Sequence, residues 1–309
     1  MSGVGRSADP VIDFHVHPLT RVMGVGRLVR DVVEAGVETA VLLALDLDPS
    51  YLDDREKGTR FLESCINAGV GFSARILEEV RYILDAGRVS NEEVARIVRE
   101  NPGLFVGVGS VNPNRGVDDV RRMLRDIDRL GLVGVKLIPT LQFFNPLKEK
   151  RKMEIILEFC EKNDKIVIFH TGCDPLVWES PELSRNSHPK LLEPYIRGFR
   201  NVSFILAHMG SYSARFPGIW FRDAVELGKR YDNVWFDVSA VPYILTMREF
   251  ADVVSRGIGW SRVLFGSDYP VFAGESIKSI LDYVRSAAVI SESDLWRVLH
   301  DNASRLLGL

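Results

Sequence analysis

Eight short apolar runs recur along the chain: Val11–His17, Thr39–Asp46, Leu104–Val111, Gly134–Pro139, Lys165–His170, Val202–His208, Val234–Ser239 and Val263–Asp268. Each is rich in Val, Ile, Leu and Phe and shows little polar alternation. Strands of that kind are buried on both faces, as in a parallel sheet. Amphipathic segments lie between them. In Asp118–Leu130 the positions Val120, Met123, Leu124, Ile127 and Leu130 share one helical face. Met153, Ile156, Leu157 and Cys160 do the same in Glu149–Lys162, and Leu295, Val298, Leu299 and Leu306 mark a last helix over Ser291–Leu307. Ser90 and Glu93 stand at capping-box spacing ahead of Val94 and Ile97.

Strand and helix therefore alternate, which makes the chain α/β. Eight strands with a helix after each predict a TIM (β/α)8 barrel. An open doubly wound sheet is the competitor, but no GxGxxG or Walker glycine loop follows any strand. The stretch 47–103 is too long for one helix, so the barrel is expected to be distorted by a helical insertion between strands 2 and 3. No repeat or flexible linker divides the chain, and residues 1–309 are read as one domain.

Composition narrows the function. A net charge of −3 leaves no basic excess to bind nucleic acid through its phosphates. The first residues, MSGVGRSADP, lack the apolar core of a signal peptide, and no apolar run reaches the ~20 residues of a membrane span. Cys65, Cys160 and Cys173 are too few and too scattered for a disulfide framework, so a reducing cytoplasm is expected. The single glutamine, Gln142, fits a thermophile's avoidance of labile amides as well as a simple composition bias.

In a barrel, chemistry collects at the C-terminal ends of the strands. Four of the six histidines fall there: His15 and His17 after strand 1, His170 after strand 5 and His208 after strand 6. Strand 8 ends in Asp268. Side chains at i and i+2 of a strand point the same way, so His15 and His17 project together, and one transition-metal ion bridging two imidazoles is natural. Lys136 sits in the fourth strand between apolar neighbours and must find a charged partner. Trp178, Tyr212, Arg215 and Tyr269 fall in loops near the mouth, and Arg215 is a candidate bidentate partner for a substrate carboxylate. Asp13 shares the parity of the two histidines and is a candidate to orient a ligand imidazole. Cys173 reads as structural, and His188 and His300 lie away from strand ends.

HVH after the first strand, GVKLIP, FHTG, LAHMG, LFGSDYP and the closing DNASRLLGL follow one another in the order of a known group. Through them the chain resembles the amidohydrolase superfamily over residues 11–309. The most similar branch is the amidohydrolase-2 group of metal-dependent TIM-barrel enzymes, which includes aminocarboxymuconate-semialdehyde and related aromatic-acid decarboxylases. The resemblance implies that His15, His17 and His170 bind a metal with Asp268 as a fourth or axial ligand. It implies that His208 is an acid/base residue or a ligand of a second ion. One divalent ion per chain, zinc first, is expected, with two if Lys136 is carboxylated and bridges; otherwise its ammonium pairs with Asp268 or holds a substrate carboxylate. Such an ion acidifies water from pKa 15.7 to about 7, and Asp268 is the residue to accept that proton. The expected activity is a metal-dependent hydrolase of a small polar ester, lactone or amide. A non-oxidative decarboxylase of an aromatic or unsaturated acid is the alternative, and a non-catalytic metal-binding scaffold the remote one. A homodimer is the family-level expectation for assembly.

Overall fold

The computed structural model describes residues 9–71, 73–174, 176–272 and 274–309. Eight strands follow one another around a single sheet: β1 (Ile12–Val16), β2 (Thr39–Leu43), β3 (Phe105–Ser110), β4 (Gly134–Leu137), β5 (Ile166–Gly172), β6 (Phe204–Tyr212), β7 (Val234–Asp237) and β8 (Val263–Leu264). All seven neighbouring pairs are parallel. The chain after β8 returns to β1: Phe14 N–H donates to Phe265 O at 2.9 Å, Asp268 N–H to His15 O at 2.9 Å and His17 N–H to Tyr269 O at 2.8 Å. The sheet is thus a TIM barrel.

Two apolar layers follow from the pleat. Ile12, Phe14, Val41, Leu43, Val108, Ile168 and Ile205 fill the barrel, while Val11, Val16, Leu42 and Val135 face the surrounding helices. Helices α1 (Thr20–Met23) and α2 (Val25–Glu34) follow β1. The expected insertion is a 3-10 turn, Pro49–Asp53, with α3 (Arg55–Asn67) and α4 (Ala74–Gly87). It packs its own apolar cluster, Leu47, Leu52, Phe61, Cys65, Val80 and Leu84, over the C-terminal end of the barrel, against Ile138 and Trp178. Helix α5 (Asn91–Glu100) then crosses to β3.

Local signals hold with some adjustments. Ser90 Oγ accepts from Glu93 N–H at 3.1 Å, but the Glu93 carboxylate accepts from the Thr20 hydroxyl instead of closing the box. The last helix is interrupted by a π-turn over Arg297–Asp301. Strands β5 and β6 run beyond His170 and His208, and β8 is shorter than its apolar run because Phe265–Asp268 leaves the ladder to pair with β1. Gln142, the sole glutamine, is a fully buried knot: Oε1 accepts from Ile138 N–H at 2.9 Å and Nε2 donates to Val111 O at 3.1 Å.

Candidate metal and acid–base centre

The site begins with a break in register. Ile12 and Phe14 point into the barrel, so plain alternation would carry His15 outward with Val11. The β1–β2 pairing shifts between Asp13 and Val16, and such irregularities re-aim side chains. Both imidazoles consequently turn to the barrel mouth with Nε2 atoms 3.2 Å apart. Gly266 makes room: a Cβ there would lie 2.7 Å from His15 Cβ and 2.9 Å from Ser239 Cβ, closer than atoms pack.

Asp268 arrives from the loop after β8 with φ 59°, a left-handed conformation costly for a residue with a Cβ. Its Oδ1 lies 3.2 Å from His17 Nε2 and 3.4 Å from His15 Nε2. Burial alone would raise its pKa, but the hydrogen bond from His17 and the nearby His15 and His208 overcome this and hold it at about 2. Asp268 is therefore a carboxylate at any ordinary pH.

A carboxylate from β7 fixes the first imidazole. Asp237 Oδ2 accepts from His15 Nδ1 at 2.9 Å. Its Oδ1 accepts from His208 N–H at 3.0 Å, Ser239 N–H at 3.1 Å and the Ser239 hydroxyl. Burial opposes its charge, yet His15 and His208 hold it well below the usual carboxylate range. With the His15 proton held on Nδ1, the Nε2 lone pair faces the centre. Burial first, and Lys136 second, lower the His15 pKa to about 3, so the ring is neutral.

The donor set fits a divalent ion. His15 Nε2, His17 Nε2 and Asp268 Oδ1 form a triangle with sides of 3.2, 3.2 and 3.4 Å. Ligands about 2.0–2.1 Å from a tetrahedral zinc stand about 3.3–3.4 Å from one another. Without an ion, His17 Nε2–H donates to Asp268 and Lys136 Nζ stands 3.3 Å from His15 Nε2; a cation seated among the three atoms would take the place of these contacts.

His208, at φ 60°, also adopts the left-handed region. Its Nδ1–H donates to Ser239 O at 2.8 Å, which leaves Nε2 to accept from His170 Nδ1–H at 3.1 Å. The Nε2 of His170 is buried without a hydrogen-bond partner, 3.4 Å from Asp174 Oδ1. Tyr212 stacks on His208 with centroids 4.4 Å apart, and Gly172 permits this, since a Cβ there would strike Tyr212 N at 2.5 Å. Burial raises the Asp174 pKa to about 7, and burial also keeps the Tyr212 phenol neutral.

Above these groups opens a cavity of about 270 Å3, with His17, His170, Asp174, His208, Tyr212 and Asp268 at its polar end. A second cavity of about 290 Å3 lies across Trp178, between Tyr51, Phe143 and Arg185, and no candidate metal or acid–base residue lines it.

The structure places the remaining sequence candidates unequally. Arg215 does not reach the substrate cavity: Glu179 accepts from Ser213 Oγ and from Arg215 N–H at 3.2 Å, and this pinned turn leaves the Arg215 side chain exposed. Lys136 is fully buried and does not line the cavity; its Nζ lies 3.3 Å from His15 Nε2, beside the ligand atoms. Burial lowers its pKa to about 8 against the pull of Asp237, Asp268 and Asp174. His170 is in the cavity but belongs to neither of the two three-residue groups of converging ligand atoms found among the described residues, His15–His17–Asp268 and His15–His208–Asp237. Asp13 holds backbone, not imidazole: its Oδ1 accepts from Ser267 N–H at 2.9 Å and His15 N–H at 3.2 Å. Tyr269 turns away to donate to Asp31. Cys173 is buried with its thiol pushed up to about 12, which makes it inert. Sequence reading missed Asp237 and Asp174; both stand at or just past strand ends, a place too common for an aspartate to single them out.

Comparison with known proteins agrees with this arrangement. A family model described as amidohydrolase matches residues 12–309. The chain belongs to that family. It is an enzyme of the amidohydrolase superfamily, whose members here are hydrolases and carboxy-lyases that generally depend on divalent metal. A 2-amino-3-carboxymuconate-6-semialdehyde decarboxylase of Dictyostelium discoideum is 23% identical over 264 residues, 73% of this chain and 67% of that one. An uncharacterised TIM-barrel protein from Bordetella bronchiseptica superposes with a TM-score of 0.69 at 19% identity, covering 97% and 98% of the two chains. A probable 2-pyrone-4,6-dicarboxylic acid hydrolase from Acinetobacter baumannii gives 0.63 at 14% identity, covering 97% and 99%. Among the described residues no helix is long and apolar enough to cross a membrane.

Proposed function

We propose that the protein is a divalent-metal-dependent hydrolase that cleaves an ester, lactone or amide, with zinc as its ion. His15, His17 and Asp268 hold the ion, and the unpartnered Nε2 of His170 supplies a further donor. The ion contributes Lewis acidity, polarising a substrate oxygen and acidifying water. Lys136 is part of the ligand shell's charge balance and not a substrate clamp.

The observation that supports the hydrolytic reading is a pair of carboxyls in different settings at one cavity floor, Asp268 against the His15 and His17 imidazoles and Asp174 against His170 Nε2. Asp268 is held ionised, with a pKa of about 2, whereas burial keeps Asp174 protonated up to about 7. Two carboxyls separated in this way divide the work of base and acid. Asp268 receives a proton from the attacking water, and Asp174 delivers one to the leaving group. His208 takes the His170 Nδ1–H and so aims the Nε2 of that ring, while Asp237 does the same for His15. The neutral Tyr212 hydroxyl is hydrogen-bonded to Asp268 and so steadies that carboxylate at the cavity edge.

A second reading, a carboxy-lyase acting on an aromatic or unsaturated acid, draws on the Dictyostelium relative, whose name is that of a decarboxylase. The assay that separates the two is a panel of esters, lactones and amides followed by acid release, run beside a panel of aromatic and unsaturated acids followed by carbon dioxide release. Hydrolysis lost on chelation and restored by zinc is the expected result. Carbon dioxide from the acids, with no hydrolysis, replaces the hydrolase by the lyase. Neither reaction after metal restoration overturns both.

A further inference from the structure

The cavity is divided by chemistry more sharply than its floor alone requires. Among the described residues, every carboxyl and imidazole that lines it belongs to the candidate centre. The walls are aliphatic and aromatic: Leu19 and Val22 from the segment after β1, Leu45 and Leu47 after β2, Ile138 and Leu141 after β4. Helix α4 closes one side with Tyr82, Ile83 and Ala86, and Trp178 stands at the back. The rim repeats the pattern, since Val22, Tyr82 and Val271 line the cavity while remaining 61%, 71% and 38% exposed. Exposed apolar side chains grouped at a pocket mouth mark a binding surface.

Among the described residues no lysine or arginine lines this space. Lys136 is below the floor and engaged with His15, Asp237 and Asp268, and Arg215 is outside. A carboxylate placed against these walls would therefore be desolvated with no counter-charge, which is unfavourable. A substrate with one polar head meets no such cost. Its head reaches the floor and its body is dehydrated by the walls.

We infer that this enzyme takes a substrate with a single polar head, neutral or mono-anionic, on an uncharged apolar body, and that it rejects dicarboxylates and small polar molecules. The inference names the substrate class of the proposed active site and rests on that reading only for where the head group lies. It replaces the expectation of a small polar substrate.

Binding, measured apart from turnover, tests it. Zinc-supplemented protein is titrated by calorimetry with the straight-chain monocarboxylates butyrate, hexanoate and octanoate, and with the dicarboxylates of the same lengths, succinate, adipate and suberate. Affinity should rise about fourfold for each added methylene in the monoacids. Each dicarboxylate should bind at least tenfold more weakly than the monoacid of its length. Tyr82→Arg, a change at an exposed position that leaves the fold intact, should narrow that gap by bringing a cation to the rim. Equal or tighter binding of dicarboxylates, or an affinity independent of chain length, overturns the inference whether or not the enzyme turns anything over. A monoacid preference without hydrolysis of any matching ester leaves the inference standing and removes the hydrolytic reading instead.

Discussion

Replacing Asp237 by Asn probes the part of the site that no ligand would touch. The carboxylate accepts four hydrogen bonds: one from His15 Nδ1 on Oδ2, and three on Oδ1 from His208 N–H, Ser239 N–H and Ser239 Oγ. An amide has one oxygen. With that oxygen toward His208 and Ser239, three contacts survive and one is lost; the opposite orientation loses three. The favoured orientation points the amide NH2 at His15 Nδ1, so the imidazole must give up its Nδ1 proton and carry it on Nε2. That atom stands 3.2 Å from His17 Nε2 and 3.4 Å from Asp268 Oδ1, where a ligand lone pair is needed. Loss of such an orienting partner weakens metal binding by about 10- to 100-fold, or about 1.4–2.8 kcal/mol. The folded state should lose a comparable amount, about 1.5–3 kcal/mol, for one charged hydrogen bond. Zinc affinity measured by competition with a chromophoric chelator, alongside a urea melt of the metal-free protein, reads both. Wild-type zinc affinity in a folded Asp237→Asn protein would refute the argument, because the His15 tautomer would then be set by something else.

Two further outcomes follow from buried charge. Lys136→Met should keep one ion per chain and bind it at least as tightly, since an ammonium 3.3 Å from His15 Nε2 opposes a second cation; a fall from two ions to one, by elemental analysis, would establish a carboxylated bridge instead. The stability of the metal-free protein should decline as pH falls from about 6 to 5. Burial depresses His15, His170, His208 and His188, so the unfolded chain takes up protons there that the folded chain does not, while burial raises Asp13 and Asp174, so the folded chain holds protons there that the unfolded one has lost. The histidines outnumber the carboxyls, so the unfolded chain binds more protons and stability drops as the pH falls. Asp13→Asn should steepen that decline in urea melts, and a flat profile in both proteins would contradict the burial of the histidines.

The barrel was legible because eight apolar runs, each followed by a helix, suit a closed parallel sheet, and no phosphate-binding glycine loop favours the open alternative. The histidines were legible because they are rare and four of the six stand at strand ends. Asp237 was not, because a lone Asp closing a strand resembles any strand terminus, and its partner His15 is 222 residues away. Arg215 failed for the opposite reason: its position after β6 is right, but the turn pinned by Glu179 decides where its side chain goes. Trp178 was placed near the mouth, but the rest of the apolar cavity was invisible in sequence, since Leu19, Leu47, Ile83 and Ile138 come from four separate segments and each reads as ordinary core. The register shift in β1 was equally hidden, although simple i, i+2 parity still paired His15 with His17.

The central claim is that His15, His17 and Asp268 converge on a catalytic cation. Elemental analysis of the purified protein, paired with the His17→Ala variant, tests it most directly. The account predicts close to one zinc or other divalent transition-metal ion per chain in the wild type and a loss of most of it in the folded variant. A wild type that holds no metal even after zinc or manganese supplementation, or a His17→Ala protein that holds as much as wild type, would contradict it.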